Sequence, residues 1–375
     1  MISFEVDEFS IRKLNKIIEL SSEKASFLKG LERGYLEAMH RFAKISNIGA
    51  STRIENAVLT DVEVDWLDTV LSQDHRSESF LKYKQDIENK LSKDKERSIE
   101  EVAGLRDVLN IVYSEAKHSF PLRESFIRQL HHELLQYYPA ASHYLGRYKV
   151  ASNSVIERKG NTVVREILRT ADPGPMTEAA MRDLVEWYNR ALPEYHWSPA
   201  VIAEFVFRFL AIHPFQDGNG RMGRALTLLG ILQSPDKKLA EVIPYLALDR
   251  HIEMSRTEYY LALRRCSEGK FRQDAKEYKI NYFLGFLLDK LAQSLEKDID
   301  YYSNKHRNFL ELSPALQKVL AAFREHPEVR LQTKEIEKFT DVPRSTIVYA
   351  LGELCQKGFL QKMGRAAGTH YQLIF

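Results

Sequence analysis

"SPAVIAEFVFRFLAIHPFQDGNGRMGRALTLLGILQ", residues 198–233, reads as two apolar segments joined by a loop whose composition no ordinary turn requires. Upstream, Ser198 can cap a helix and Pro199 suits its first turn. The body that follows is apolar on most faces, which describes a helix inside a core rather than on a surface. Pro214 lacks a donor and disfavours the α region at the residue before it, so that helix is predicted to end at His213. Helical spacing resumes in "GRMGRALTLLGILQ", leaving "PFQDGNG" as a tight loop that feeds a helix amino terminus. From His213 to Arg224 the chain packs a histidine, a carboxylate, three glycines, an asparagine and two arginines into one short stretch.

That mixture suits phosphate chemistry. Gly218 and Gly220 permit positive φ, so successive backbone N–H groups can converge on an anion. The following helix adds unpaired donors and the positive end of its dipole. Arg221 and Arg224 stand three apart, hence on one helix face, able to grip two phosphates. Asp217 would repel phosphate directly; it makes sense as a ligand of Mg²⁺, a hard cation that bridges phosphate and carboxylate oxygens. His213, with an ordinary pKa of roughly 6.5, is mostly neutral at pH 7 and can accept a proton. Together these groups describe phosphoryl or nucleotidyl transfer. "GNGRMG" also satisfies the dinucleotide pattern G-x-G-x-x-G, but a helix precedes it and no βαβ unit surrounds it. Walker and kinase signatures are absent. A plain polar turn, with His213 merely capping, is the structural alternative.

The remaining chain is predicted to be mostly helical, with apolar residues at three-to-four spacing such as Leu105, Val108, Leu109 and Val112. Between Ser72 and Glu101, 15 of 30 residues are charged, which reads as a solvated helical or loop insertion. In "GRYKVASNSVIERKGNTVVREI", β-branched stretches flank Lys159-Gly160-Asn161, a hairpin-like turn that serves the site or merely decorates it. "DPGP" at 172–175 marks a loop before another helix starting around Thr177 and Glu178. Beyond "NFLELSPAL" (308–316), helices at 314–325, 333–339 and 344–357 precede two strands around Gly364–Gly368. That order describes a winged helix-turn-helix. Only nine Lys/Arg face six Asp/Glu from Ser313 onward, so DNA binding through 313–375 and a protein-contact role both stay open. The 375-residue chain carries a net charge of +2, implying no general attraction to nucleic acid or membrane. No apolar run reaches membrane-span length, "MISFEVDEFS" lacks a secretory pattern, and Cys266 and Cys355 lie too far apart to suggest a disulfide framework. A cytoplasmic location is expected.

"HPFQDGNGRMGR" resembles the Fic signature H-x-F-x-[DE]-G-N-G-R-x-x-R at every specified position. The resemblance extends over roughly 105–290, through "LRDVLNIVYSEAKHSFPLRESFIRQLHHELL", "GRYKV" and "RTEYYLALRRCSEGKF". It implies a protein adenylyltransferase that moves AMP from ATP to a Tyr, Ser or Thr hydroxyl of a target protein. By that resemblance His213 is the general base and Asp217 the Mg²⁺ ligand. The Gly218, Asn219 and Gly220 backbone, with the Asn219 side chain, forms the anion hole. Arg221 takes the β-phosphate and Arg224 the γ-phosphate. Val155, Ile156, Glu157 and Arg158 match a flap that clamps the nucleotide and registers the target. Tyr259, Tyr260 and Ser267 fall where the family contacts the nucleoside, although core packing accounts equally well for the two tyrosines.

"STRIEN" (51–56) fits the family's inhibitory pattern [ST]-x-x-x-E-[GN] through Ser51, Glu55 and Asn56. Thr52-x-x-Glu55 is equally a capping box at a plain helix start. With the Fic signature downstream the inhibitory reading is favoured, and it has Glu55 pair with Arg224 and displace the γ-phosphate. The expected fold is mainly α: an N-terminal helical region (1–104), a Fic core with a β-hairpin flap (105–290), a helical linker (291–312) and a winged helix (313–375). Self-modification and a homodimer are further expectations. Two other functions stay open: a DNA-binding regulator with a Fic sensor core, and a Fic enzyme that uses another donor (UMP or phosphocholine) or removes AMP.

Overall fold

The computed structural model describes residues 1–72, 79–159, 162–327, 330–364 and 368–375. Helices α1 (Glu8–Lys29) and α2 (Arg33–Ile54) open the chain, followed by α3 (Asp61–Ser72), α4 (Ser79–Leu91), α5 (Glu96–Glu115) and α6 (Glu124–Leu135). A hairpin of β1 (Ser154–Lys159) and β2 (Thr162–Arg169) leads into α7 (Pro175–Glu194), α8 (Ser198–Ile212) and α9 (Asn219–Gln233). Then come α10 (Lys237–Val242), α11 (Leu248–Met254), α12 (Arg256–Ser267) and the long α13 (Asn281–Leu310). The chain closes with α14 (Pro314–Glu325), α15 (Thr333–Phe339), α16 (Arg344–Gln356) and the hairpin β3 (Leu360–Met363) and β4 (His370–Leu373). The fold is mainly α, with sheet confined to two antiparallel hairpins among the described residues.

Residues Met1–Ala57 and Glu100–Asp300 form one compact unit. Its centre is α8, buried along nearly its whole length and packed on α7 and α9. The helix starts at Ser198, but the N-cap is Trp197 and no side chain caps it; Pro199 in the first turn sets the start instead. α1 covers this unit with a single stripe, Leu14, Ile17, Ser21, Ala25 and Leu28, the three-to-four spacing of a helix wet on its other side. α2 changes character along its length. From Ile45 to Thr52 every residue is buried, and the small Ser46, Gly49, Ala50 and Ser51 let that half run through the core. "STRIEN" therefore closes a helix, with Glu55 at the C-cap. Thr52 is no N-cap: its hydroxyl donates to the Ile48 and Gly49 carbonyls in the turn behind it, so the capping-box reading falls.

Val58–Ile99 and Tyr301–Phe375 form the second unit. In it α14, α15 and α16 and the β3–β4 hairpin enclose a core that includes Leu316, Leu320, Phe323, Ile336, Ile347, Leu351 and Leu354. A bridge between Leu331 and Tyr371 ties the segment before α15 to the hairpin. The charged stretch after Ser72 is more than a solvated insertion. Residues 73–78 lie outside the described residues, yet α4 and the start of α5 bury Phe80, Ile87, Leu91 and Ile99 while their charges pair laterally, as in Lys84–Glu96 at 2.9 Å.

Candidate active site

The loop between α8 and α9 is held from three sides. His213 caps α8 in the left-handed region, φ 53 and ψ 58, unusual for a residue with a Cβ and costing of order 1–2 kcal/mol. Its N–H donates to the Phe209 carbonyl at 2.8 Å, and its Nδ1 lies 3.3 Å from the Leu210 carbonyl. Only a protonated nitrogen can bond a carbonyl, so Nδ1 carries the hydrogen and Nε2 keeps its lone pair. Burial, then the nearby Lys149 charge, lower the His213 pKa to about 4. The imidazole is therefore in its proton-accepting form at neutral pH.

Beneath the loop, Phe215 stacks on His131 with ring centroids 3.8 Å apart. Gly146 N–H donates to His131 Nδ1 at 3.0 Å, which puts the proton on Nε2 and lets it donate to the Asp217 carbonyl at 3.0 Å. Beside the loop, Lys149 N–H donates to the Pro214 carbonyl at 2.8 Å, and its buried Nζ donates to the Ile212 carbonyl at 3.0 Å. A cation there complements the negative end of α8. Asn153 and Thr170 hold the same ammonium, at 2.8 and 3.0 Å. The Asn219 side chain also has a structural role. Its Oδ1 accepts from Phe215 N–H at 2.9 Å and its Nδ2 donates to the Phe215 carbonyl at 2.7 Å, so the amide staples the loop and keeps one Nδ2 hydrogen, with its backbone N–H, for an anion.

The two predicted glycines do different work. Gly218 has φ +80 and caps α9, a conformation that a side chain would strain. Gly220 is already helical; what it supplies is closeness, because a Cβ there would lie 2.1 Å from Glu55 Oε1. One turn on, Arg224 is 4% exposed and heavily engaged. Its Nε donates to Ser51 Oγ at 2.7 Å, and its Nη2 donates to the Ser51 carbonyl at 2.8 Å and to Glu55 Oε1 at 2.9 Å. Burial works against its charge, but Glu55, Tyr259 and Asp249 together more than offset that and hold its pKa above the usual range. Arg221 Nη2 donates to Asp217 Oδ1 at 3.4 Å, and its Nη1 lies 3.5 Å from Glu101. Arg224 Nη1 and Arg221 Nε and Nη1 are buried without a hydrogen-bond partner. Buried guanidinium donors left in this way point to an anion they are built to receive.

A cleft of about 270 Å³ opens over these groups, walled by Glu55, Val155, Ile156, His213, Asp217, the 218–221 backbone, Tyr259 and Tyr260. A larger groove of about 770 Å³, at the start of α1 beside α12 and α13, carries none of them. Glu157 and Arg158 pair in register with Arg165 and Val163, but their side chains, like Gly160 and Asn161, lie outside the described residues. Tyr259 and Tyr260 line the cleft and also pack: Tyr259 meets Phe283 and Phe286 at centroid distances of 6.3 and 5.8 Å. Ser267 does not line it. Its hydroxyl donates to the Leu263 carbonyl at 2.9 Å and accepts from Gly269 N–H at 3.1 Å, which closes the end of α12. Asn56, with φ 75, accepts from Arg256 Nη2 at 3.1 Å.

The sequence profile of the Fic/DOC family matches residues 121–230. A Fido domain-containing protein of Dictyostelium discoideum is 40% identical over 99 residues, covering 24% of this chain and 68% of that protein. This chain belongs to the Fic/DOC family. Among solved structures, a Fic family protein from Desulfovibrio desulfuricans aligns over 100% of this chain and 98% of its own, at TM-score 0.58 and 19% identity. A Fic domain-containing signalling protein from Bacteroides thetaiotaomicron covers 76% of this chain and 97% of its own, at TM-score 0.56 and 23% identity. At such identities the likeness is one of fold. In this Fic protein the residues that sequence reasoning missed are the supports: His131, Lys149, Asn153 and Glu101. His131 sits in "RQLHHELL" at the spacing of an ordinary buried helix face, and Glu101 ends a charge run. Neither carries a local signal.

Proposed function

We propose that the protein transfers AMP from ATP to a hydroxyl side chain of a protein and is held inactive by Glu55. The observation that carries this reading is the Glu55 carboxylate itself, lying against Gly220 and bonded to Arg224 while further Arg221 and Arg224 donors go unused. A carboxylate set beside a helix amino terminus and bonded to a buried arginine stands where such a site would take a phosphate. His213 Nε2 takes the proton of the attacking hydroxyl, whose oxygen forms a bond to the α-phosphorus as the bond to the bridging oxygen of pyrophosphate breaks. Arg221 and Arg224 hold the β- and γ-phosphates, and the backbone N–H groups at the start of α9 receive charge that builds up on the transferring group.

Among the described residues, no three or more His, Cys, Asp or Glu side chains gather to cage a metal. A single carboxylate in a phosphate site is what Mg²⁺ uses, since it keeps water and takes its other ligands from the substrate. Asp217 would hold it, and the ion would neutralise phosphate charge. The β1–β2 hairpin is proposed to clamp the nucleotide and align the target. The 313–375 segment is proposed to be a winged helix that serves protein contact, because α16 turns out Val348 and Tyr349, 56% and 63% exposed. Incubating the Glu55→Gly protein with α-labelled ATP and Mg²⁺, alone and in lysate, should leave label on protein, and none should be transferred when EDTA is present from the start. Label that never becomes covalent, or covalent label appearing instead from γ-labelled ATP in a parallel incubation, would refute AMP transfer.

A further inference from the structure

One buried carboxylate plays no part in the chemistry above. Asp249, at the start of α11, is 9% exposed. It accepts a hydrogen bond from the Ser51 hydroxyl, the same hydroxyl that accepts from Arg224 Nε. Its backbone N–H donates to Asn47 Oδ1 at 3.0 Å, which fixes it against α2. Asp249 and Arg224 share the wall of an internal cavity of about 20 Å³ with Asn47, Leu109 and Leu228, behind the nucleotide cleft. The neighbouring Glu253 is already committed to Arg53, at 2.7 and 2.9 Å.

Arg224 thus has two carboxylates on very different terms. The Glu55 side chain is 32% exposed and can leave into water. Asp249 cannot. A buried guanidinium stripped of every carboxylate is strongly disfavoured, so a mobile inhibitory partner requires a second partner that stays. We infer that Asp249 is a positioning residue, the resident counter-ion that holds Arg224 through the Ser51 hydroxyl whether or not Glu55 is bound. Its consequence for ATP rests on the adenylylation reading; the arrangement of charges does not. Arg224 stays charged and oriented while Glu55 is displaced, and the γ-phosphate meets a preformed donor.

Two measurements on the full chain decide it. In denaturant unfolding of wild type, Glu55→Gln, Asp249→Asn and the double variant, the double variant should lose more stability than the singles sum to, because either carboxylate alone satisfies the cation. Additive losses overturn the inference. In the Glu55→Gly background, Asp249→Asn should weaken ATP binding by about tenfold and ADP binding by less than about threefold, by calorimetry, since one charge-assisted contact is misplaced. Equal weakening of both also overturns it. If Glu55→Gly protein binds no ATP, the adenylylation reading fails and the unfolding cycle alone judges Asp249. Should Asp249→Asn not fold, adding Arg224→Gln removes both charges and should restore a cooperative melt; no rescue would mean that Asp249 serves packing only.

Discussion

At the scale of single residues, His213 is held in a conformation that costs energy, in a tautomer fixed by its own helix, with its pKa lowered to about 4. Such a group is ready to take a proton at neutral pH. Replacing it with alanine should lower AMP transfer about 10²–10⁴-fold while ATP binding persists, since base catalysis contributes that much and the phosphate donors remain. Undiminished transfer by His213→Ala would remove the assignment. The same burial has a stability consequence. His213 and His131 both sit near about 4 when folded, against about 6.5 unfolded, so the folded chain binds fewer protons in that window. Their contribution is complete above about 6.5 and gone once pH falls through about 4. Asp249, raised to about 6 chiefly by burial, has the opposite sign: it costs stability above that value and the cost fades on acidification. Asp107 and Glu204, also raised by burial, share that sign, and removing the histidine should make any fall in melting temperature from pH 7 to pH 5 smaller in His213→Gln than in wild type. An equal drop in that variant would show that other groups govern acid unfolding.

Among elements, the decisive one is the last turn of α2. Glu55→Gln keeps the shape but removes the charge, and a hydrogen bond to a charged group contributes roughly 1.5–3 kcal/mol, about one to two decades in an equilibrium. Transfer should rise about ten- to hundredfold, read as autoadenylylation; unchanged activity would mean the contact restrains nothing. Arg53 and Glu253 pin the same turn to α11 through a bidentate pair less than a third exposed. Glu253→Ala should therefore raise transfer too, by about a few fold, since it loosens the turn without removing the Glu55 carboxylate. If Glu55→Gln activates and Glu253→Ala does not, Asn47 and Ser51 suffice to hold the turn.

The loop, α8, α9 and the hairpins were all legible in the sequence, because Pro214, Gly218 and the apolar spacing act locally. The direction of "STRIEN" was not, since Ser/Thr and Glu at that spacing fit either end of a helix. Only the burial of residues 45–52, which depends on distant helices, decides between them. Ser267 was given a cleft role because polarity is visible in sequence and partners are not.

For the whole molecule, a net charge of +2 leaves recognition to local surfaces. The second unit is where nucleic acid would have to be gripped, and the cations at the two ends of α16 are already paired. Arg344 pairs with Glu337 at 2.7 Å and Lys357 with Glu311 at 3.7 Å, at the two ends of α16. Between them that helix exposes Val348 and Tyr349 rather than further positive charge. DNA affinity at physiological salt comes from releasing counterions, and each neutralised phosphate adds about 0.9 to the slope of log K against log salt. α16 alone, with two paired cations, would give a slope no steeper than about 2, so a complex held by that helix should dissociate as salt approaches about 0.15 M. The full chain is therefore expected to shift a random duplex weakly at low salt and not at physiological salt, and Arg344→Ala should alter little. Val348→Glu with Tyr349→Glu should instead disturb a protein contact, read as a change in sedimentation or in the set of proteins labelled in lysate. A DNA complex that survives physiological salt with a slope of about 5 or more would reverse the assignment, because only a face of unpaired cations releases so many counterions.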